Sequence, residues 1–423
     1  MLLKSLHKVK IPPKHLNDYR QFSPETVNQI HRSSKQLEGL NVTHLNSTSV
    51  GGGVAEILRV LVPLQKDIGL NANWYIIPPS QSFFQVTKKI HNLLQGKKGY
   101  LTNKQKRIYL DYNQYIGSLL SKIQTDILIV HDPQPAASIS FLKNNRPQIL
   151  IWRCHIDTSH PNETAWKFLL PHLKSYDHFI FTLPEYVGGF LPLNKISTIT
   201  PIIDPLSIKN IPMDKTEAKM YLEKLGINIH RPLVTQISRF DPWKDPEGVI
   251  DAYLMAKRKI LNLQLALVTQ LAIDDPEGIK IYKQIKARIE KEKDIFIFIN
   301  LPNNDMIVNA FQTASDIILQ KSIREGFGLT VTEAMFKGAI VIGGNVGGIK
   351  LQIADGINGF LVNSPLETAQ RIIYILKNPQ IKKKISQAAR ESVREKFLVT
   401  NKLLDYLNLF KKLLAKKSLY FHQ

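Results

Sequence analysis

The sequence predicts an α/β protein built from two doubly wound domains in series, and three observations predict it. Short apolar runs alternate with helical patterns over most of the 423 residues, the rhythm of βαβ units and parallel sheets. The texture breaks around residues 201–213, where PIIDPLSIKNIPMD carries three prolines and no periodicity, as a linker would. Reactive residue types fall just after the strands on either side of that break, where ligands of such sheets bind. The expected domains are residues 1–205 and 206–394, with a C-terminal helix from about 395 to 423 returning to the first.

In the first domain NVTHLN (41–46) reads as a strand, followed by Gly51, Gly52 and Gly53 and the helix VAEILRVLVPLQKDIG. NANWYIIP is a second strand. TDILIVHDP (125–133), QILIWRCHID (148–157) and HFIFTLPEY (178–186) are continuous apolar runs, the mark of strands covered on both faces. In the second domain LVTQISRF (233–240), LQLALVTQ (263–270), DIFIFIN (294–300), ASDIILQ (314–320) and AIVIGGN (339–345) are the strands, with helices such as PEGVIDAYLMAKRKI (246–260) between them. The stretch from about Ile381 to Lys417 reads as amphipathic helix.

Bulk properties narrow the function. Hydrophobic content of 43% and charged content of 22% are ordinary for a globular protein, and no apolar run reaches the roughly 18 residues of a membrane span. The N-terminus MLLKSLHKVKIPPKH lacks the apolar core of a signal peptide. The single Cys154 excludes an internal disulfide and suits a reducing cytoplasm. The net charge of +21 is spread evenly: residues 1–205 carry 23 Lys and Arg against 13 Asp and Glu, and residues 206–423 carry 33 against 22. Nucleic-acid binders cluster such charge, so no nucleic-acid partner is expected. The basic, amphipathic LLDYLNLFKKLLAKK (403–417) would suit an anionic membrane surface, but a terminal helix packing on the first domain is the favoured reading. A homodimer is compatible with the sequence.

The candidate site residues follow the strands. The three glycines let backbone approach a ligand at a helix N-terminus, or simply make a tight turn. His131 and Asp132 follow one strand, and Arg153, His155 and Asp157 follow the next. Two histidines and two carboxylates at matched strand ends favour function over structure; Arg153 brings a charge to the same region unless it forms a surface salt bridge. Metal-ligand spacing is absent, and Asp274-Asp275 reads as a turn. In the second domain Arg239 and Lys244 suit phosphate oxygens. After ASDIILQ, EGFGLTVTE places Glu325 in a loop, Gly326, Phe327 and Gly328 at a tight bend, and Glu333 in the second turn of a helix. The bend's N–H groups and the helix dipole offer an anion seat, and the two glutamates could accept hydroxyl pairs at its ends, as a nucleotide sugar would present them. A helix start with favourable early acids explains the spacing equally well.

With its upstream Arg and Lys, the E-x7-E pattern resembles retaining glycosyltransferases of the GT-B fold, the large family 4. NSTSVGGGVAEIL, VHDPQPAA, WRCHIDTSHPN, FTLPEYV, QISRFDPWKDP and LQKSIREGFGLTVTEAMFKG resemble its trehalose glycosyltransferring synthase and trehalose phosphorylase group, over residues 40 to 365 or so. The resemblance implies roles. Arg239 and Lys244 would hold the donor diphosphate. Glu325 would bind the donor sugar's 3- and 4-hydroxyls with the N–H groups of Gly326, Phe327 and Gly328, and Glu333 would grip the ribose. His155 would sit beside the anomeric centre. Gly51 to Gly53 would line the acceptor side, with His131, Asp132, Arg153 and Asp157 nearby. The expected substrates are an NDP-sugar with glucose or trehalose. No cofactor or essential divalent metal is expected, because protein cations would take its place.

Overall fold

The computed structural model describes residues 5–50, 52–188, 191–271 and 276–421. Gly51 and Asp274-Asp275 lie outside the described residues. The chain forms two units, Met1–Ile202 with Val399–Gln423, and Ile203–Leu398.

The first unit is a seven-stranded sheet of β1 (His7–Lys8), β2 (Asn41–Asn46), β3 (Asn71–Ile76), β4 (Ile127–His131), β5 (Ile149–Arg153), β6 (His178–Phe181) and β7 (Ile196–Thr198), in the order β1-β3-β2-β4-β5-β6-β7. Only β1 is antiparallel to its neighbour. Every residue of β4 and β5 is buried, which is why both read as unbroken apolar runs. The order reverses between β2 and β4, so the crevice beyond their C-terminal ends is the switch point of the sheet.

The second unit has six parallel strands, β8 (Leu233–Ile237), β9 (Gln264–Thr269), β10 (Ile295–Ile299), β11 (Ile317–Gln320), β12 (Val341–Gly344) and β13 (Phe360–Val362), in the order β10-β9-β8-β11-β12-β13. Its switch point lies between β8 and β11.

The C-terminal stretch departs from the single helix expected over 381–417. Helix Gln380–Lys396 stops, Phe397 and Leu398 run outside helix, and Val399–Phe421 starts a new one. The break is anchored by sheet-like bonding: Ile203 N–H donates to Phe397 O at 3.0 Å, and Ile203 bridges Leu398. Helix Val399–Phe421 buries Leu403, Leu407 and Phe410 and packs on helix Pro24–Ser34, where Thr400 Oγ1 and Ser23 Oγ share a hydrogen bond of 2.8 Å. Its apolar stripe is therefore covered within the first unit. Among the described residues no helix is long and apolar enough to cross a membrane.

Candidate active site

In the second unit the loops after β8 and β11 meet at the switch point. Lys244 Nζ donates to Glu325 Oε2. The same oxygen accepts from Ser322 Oγ at 3.2 Å and Gln320 Nε2 at 3.4 Å, so one carboxylate oxygen gathers three donors. Asp245, in the left-handed backbone region at φ 49°, pairs with Lys321 and caps the next helix by accepting from Gly248 N–H at 3.1 Å. Arg239 stands well exposed, 3.6 Å from Asp241, and Arg324 lies over the Trp243 ring.

The bend that follows Glu325 is fixed from behind. Gly328 has φ 83°, a conformation that favours glycine, and caps helix Leu329–Phe336. Gln352 Nε2 donates to Phe327 O at 2.6 Å and Gly348 O at 3.1 Å, while its Oε1 accepts from Thr332 Oγ1 at 2.6 Å. Gly348 lies so close that a Cβ there would meet Phe327 Cα at 2.4 Å and Gly326 O at 2.7 Å. Gln352 and Gly348, which sequence reasoning missed, thus hold the loop that carries Gly326 and Phe327.

Glu333 is buried. Its Oε2 accepts from Gln312 Nε2 at 3.2 Å, and its Oε1 is 3.5 Å from Lys209 Nζ. Lys337 Nζ donates to Gln312 Oε1 at 2.7 Å and Asn210 Oδ1 at 2.9 Å, and burial pushes its pKa down to about 7.

In the first unit Gly52 (φ 81°) leads into helix Gly53–Asp67, and the preceding loop is folded by its own polar groups, with Asn46 Nδ2 donating to Thr48 O at 2.9 Å. Asp132 follows β4 at φ 61°, a left-handed conformation uncommon for a residue with a side chain. Its Oδ1 accepts from His155 N–H at 2.8 Å. Burial raises its pKa to about 6, against the pull of that bond and of Arg153. Arg153 forms no surface salt bridge. Its guanidinium is buried and donates to Phe181 O and Ile199 O, and burial lowers its pKa. Asp157 turns back on its own chain, its Oδ1 accepting from Ser159 N–H at 2.9 Å and Ser159 Oγ at 2.6 Å. Cys154, between Arg153 and His155, is buried, and that burial raises its thiol pKa.

The histidines form a chain. His131 Nδ1 is 2.9 Å from His155 Nε2, His131 Nε2 is 3.0 Å from His44 Nδ1, and His44 Nε2 is 3.0 Å from Gln65 Oε1. Successive ring centroids are 5.3 Å apart, with planes 27° and 17° from parallel. Burial lowers all three pKa values, His44 to about 4, with Arg153 adding to the effect at His131 and His155. His44 and Gln65 escaped sequence reasoning; a histidine inside the apolar strand NVTHLN was the available signal. No cluster of three or more metal-ligating side chains occurs among the described residues.

Two parallel-sheet units of this kind, with donors and acceptors collected at their switch points, make the GT-B fold, and the protein is a glycosyltransferase. The family model described as trehalose synthase, N-terminal domain, matches residues 44–188, and glycosyl transferases group 1 matches residues 219–392. The chain is 45% identical to a trehalose synthase of Pyrococcus horikoshii, over 94% of this chain and 96% of that one. It is 28% identical to a trehalose phosphorylase of Pleurotus pulmonarius over 82% of this chain, spanning 54% of that longer protein. The structure of a sucrose-phosphate synthase from Thermosynechococcus elongatus superposes with a TM-score of 0.69 at 17% identity, covering 89% of this chain and 100% of that one, a likeness of fold. The chain belongs to the trehalose synthase family.

Proposed function

We propose that the protein is a cytoplasmic retaining glucosyltransferase that joins C1 of an NDP-glucose to the anomeric hydroxyl of free glucose, giving α,α-trehalose and NDP, reversibly. The observation that supports this best is the meeting of Lys244 with Glu325 at the second unit's switch point, a phosphate-seeking cation beside a hydroxyl-seeking carboxylate. The 45% identity to a trehalose synthase supports the choice of sugars.

In this reading the C1–O bond to the diphosphate breaks and its electron pair leaves with the phosphate. The incoming hydroxyl attacks on the same face and passes its proton to the departing phosphate oxygen. Arg239, Lys244 and the N–H groups of Gly326, Phe327 and Gly328 stabilise the charge that develops there. Lys244 would exchange Glu325 for phosphate, leaving Glu325 to accept from sugar hydroxyls. Recognition of ribose by Glu333 requires its carboxylate to exchange Lys209 or Gln312 for the ribose hydroxyls. On the acceptor side Gly52, Gly53, Asp132 and Asp157 supply backbone and carboxylate groups, and His155 lies beside the anomeric carbon. No divalent metal is needed, so activity should survive EDTA.

The burial of Glu333 favours one alternative, a phosphorylase using phosphate or glucose 1-phosphate, which has no ribose to hold. One experiment separates the two. Purified protein is incubated with glucose and UDP-, ADP- or GDP-glucose, and separately with trehalose and phosphate, and the products are identified by NMR. Trehalose from at least one nucleotide sugar supports the proposal. Glucose 1-phosphate from trehalose and phosphate, with no trehalose from any nucleotide sugar, overturns it.

A further inference from the structure

The three histidines sit on a diagonal across the first sheet. β2 pairs His44 with Ile129 of β4, and β4 pairs His131 with Arg153 of β5. His131 is two residues beyond Ile129, and His155 two beyond Arg153. Because side chains alternate faces with a period of two, all three positions project from the same face, each about 6–7 Å further along than the last. Helix Gly53–Asp67 brings Gln65 to the lower end of this staircase.

A chain of rings joined nitrogen to nitrogen has a direction. Each neutral imidazole has one N–H and one bare nitrogen, and the low pKa values keep these rings neutral near pH 7. Each inter-ring bond needs one donor and one acceptor. Only two proton arrangements satisfy both bonds: every proton on Nε2, or every proton on Nδ1. The Oε1 of Gln65 decides between them, because a carbonyl oxygen only accepts and it faces His44 Nε2 at 3.0 Å. His44 must then donate from Nε2 and accept at Nδ1 from His131. His131 in turn accepts at Nδ1 from His155. The opposite arrangement needs the Gln65 amide turned over, so that its Nε2 would donate to a bare His44 Nε2; in the orientation found, that buried Nε2 has no partner. The direction of the whole chain therefore rests on one amide orientation, two rings away from the residue it controls.

We propose that Gln65, acting through His44 and His131 as positioning residues, fixes the proton of His155 on Nε2 and leaves its Nδ1 as a hydrogen-bond acceptor for a sugar hydroxyl. The tautomer assignment rests on the orientation of the Gln65 amide, and the sugar hydroxyl on the placement of His155 proposed above. A reversed chain would present an N–H to that hydroxyl and favour a different partner.

Nuclear magnetic resonance of full-length protein labelled with 15N-histidine tests this. Long-range proton–nitrogen spectra distinguish protonated from bare ring nitrogens, and His155→Asn identifies the His155 signals. The expected wild-type pattern is a protonated Nε2 and a bare Nδ1. Gln65→Met, which keeps the bulk and removes the acceptor, should mix the two tautomers at His155. Gln65→Glu, whose ionised carboxylate only accepts, should keep the wild-type pattern at a pH where that carboxylate is ionised. In the glucosyl-transfer assay Gln65→Met should lower kcat by about 10-fold with little change in KM, the scale of one mismatched hydrogen bond, and Gln65→Glu should restore most of it. A protonated Nδ1 on wild-type His155, or an unchanged His155 pattern in Gln65→Met, overturns the proposal. A changed tautomer with unchanged kinetics supports the relay and overturns the placement of His155 beside the reacting carbon.

Discussion

Gly348→Ala tests whether the loop after Glu325 is held to the accuracy that catalysis needs. The added Cβ would lie 2.4 Å from Phe327 Cα and 2.7 Å from Gly326 O. Carbon contacts settle near 3.5–4.0 Å, so the two segments must part by about 1 Å. Both obstructing atoms are backbone, and no side-chain rotation relieves them. Gly348 has φ −68°, which alanine adopts freely, so the perturbation is steric alone. The Gln352 bonds to Phe327 O and Gly348 O stretch as the segments part. Misplacement of catalytic groups by about 1 Å costs on the order of 100-fold in rate, equivalent to about 2.7 kcal/mol. Overpacking costs about 1–3 kcal/mol of stability, a loss that a domain of ordinary stability survives. The assay is steady-state transfer from NDP-glucose to glucose, paired with urea denaturation to show that the variant is folded. A folded variant with kcat/KM within threefold of wild type refutes the reasoning.

Lys244→Ala and Arg239→Ala should each raise the barrier by about 2.7–4 kcal/mol, the usual cost of a preorganised donor; near-full activity in both would remove them from the reaction. Acid should weaken the fold. His44 has its pKa lowered to about 4, so between about pH 6.5 and 4 the unfolded chain binds a proton that the folded chain does not, and stability falls as pH falls. His131 and His155 act in the same direction. Asp132, raised to about 6, opposes them: it contributes stability at low pH that is lost as pH rises through 6. Asp132→Asn should therefore deepen the loss between pH 6 and 4 by about 3 kcal/mol, read from urea midpoints; an unchanged pH profile contradicts this. The protein should stay unbound in flotation with anionic vesicles, because the apolar stripe of helix Val399–Phe421 is already covered; co-flotation would show that it peels away.

The sequence made strands and strand-end loops legible, and left hidden what depends on side chains meeting across the fold. β4 and β5 read clearly because both faces are buried. β1, β7 and β13, at two or three residues each, are too short for any alternation to register. The break at Phe397 and Leu398 was invisible because both are apolar and no glycine or proline marks it; sheet-like pairing with Ile203 stops the helix there. Glu325 and Lys244 were legible as separate strand-end residues, 81 positions apart, but their meeting was not. Gln65 and Gln352 gave no signal, since an isolated glutamine has no motif; each matters through the carbonyl or ring it touches.

Cys154 has a practical consequence. The only sulfhydryl in the chain is enclosed and held protonated, so it is closed to alkylating dyes under native conditions. A cysteine introduced at an exposed position such as Ile323, beside the Glu325 bend, would take a fluorophore alone in otherwise unaltered protein. Fluorescence from that label could follow ligand arrival without a thiol-free background, which would itself disturb the sequence neighbours Arg153 and His155.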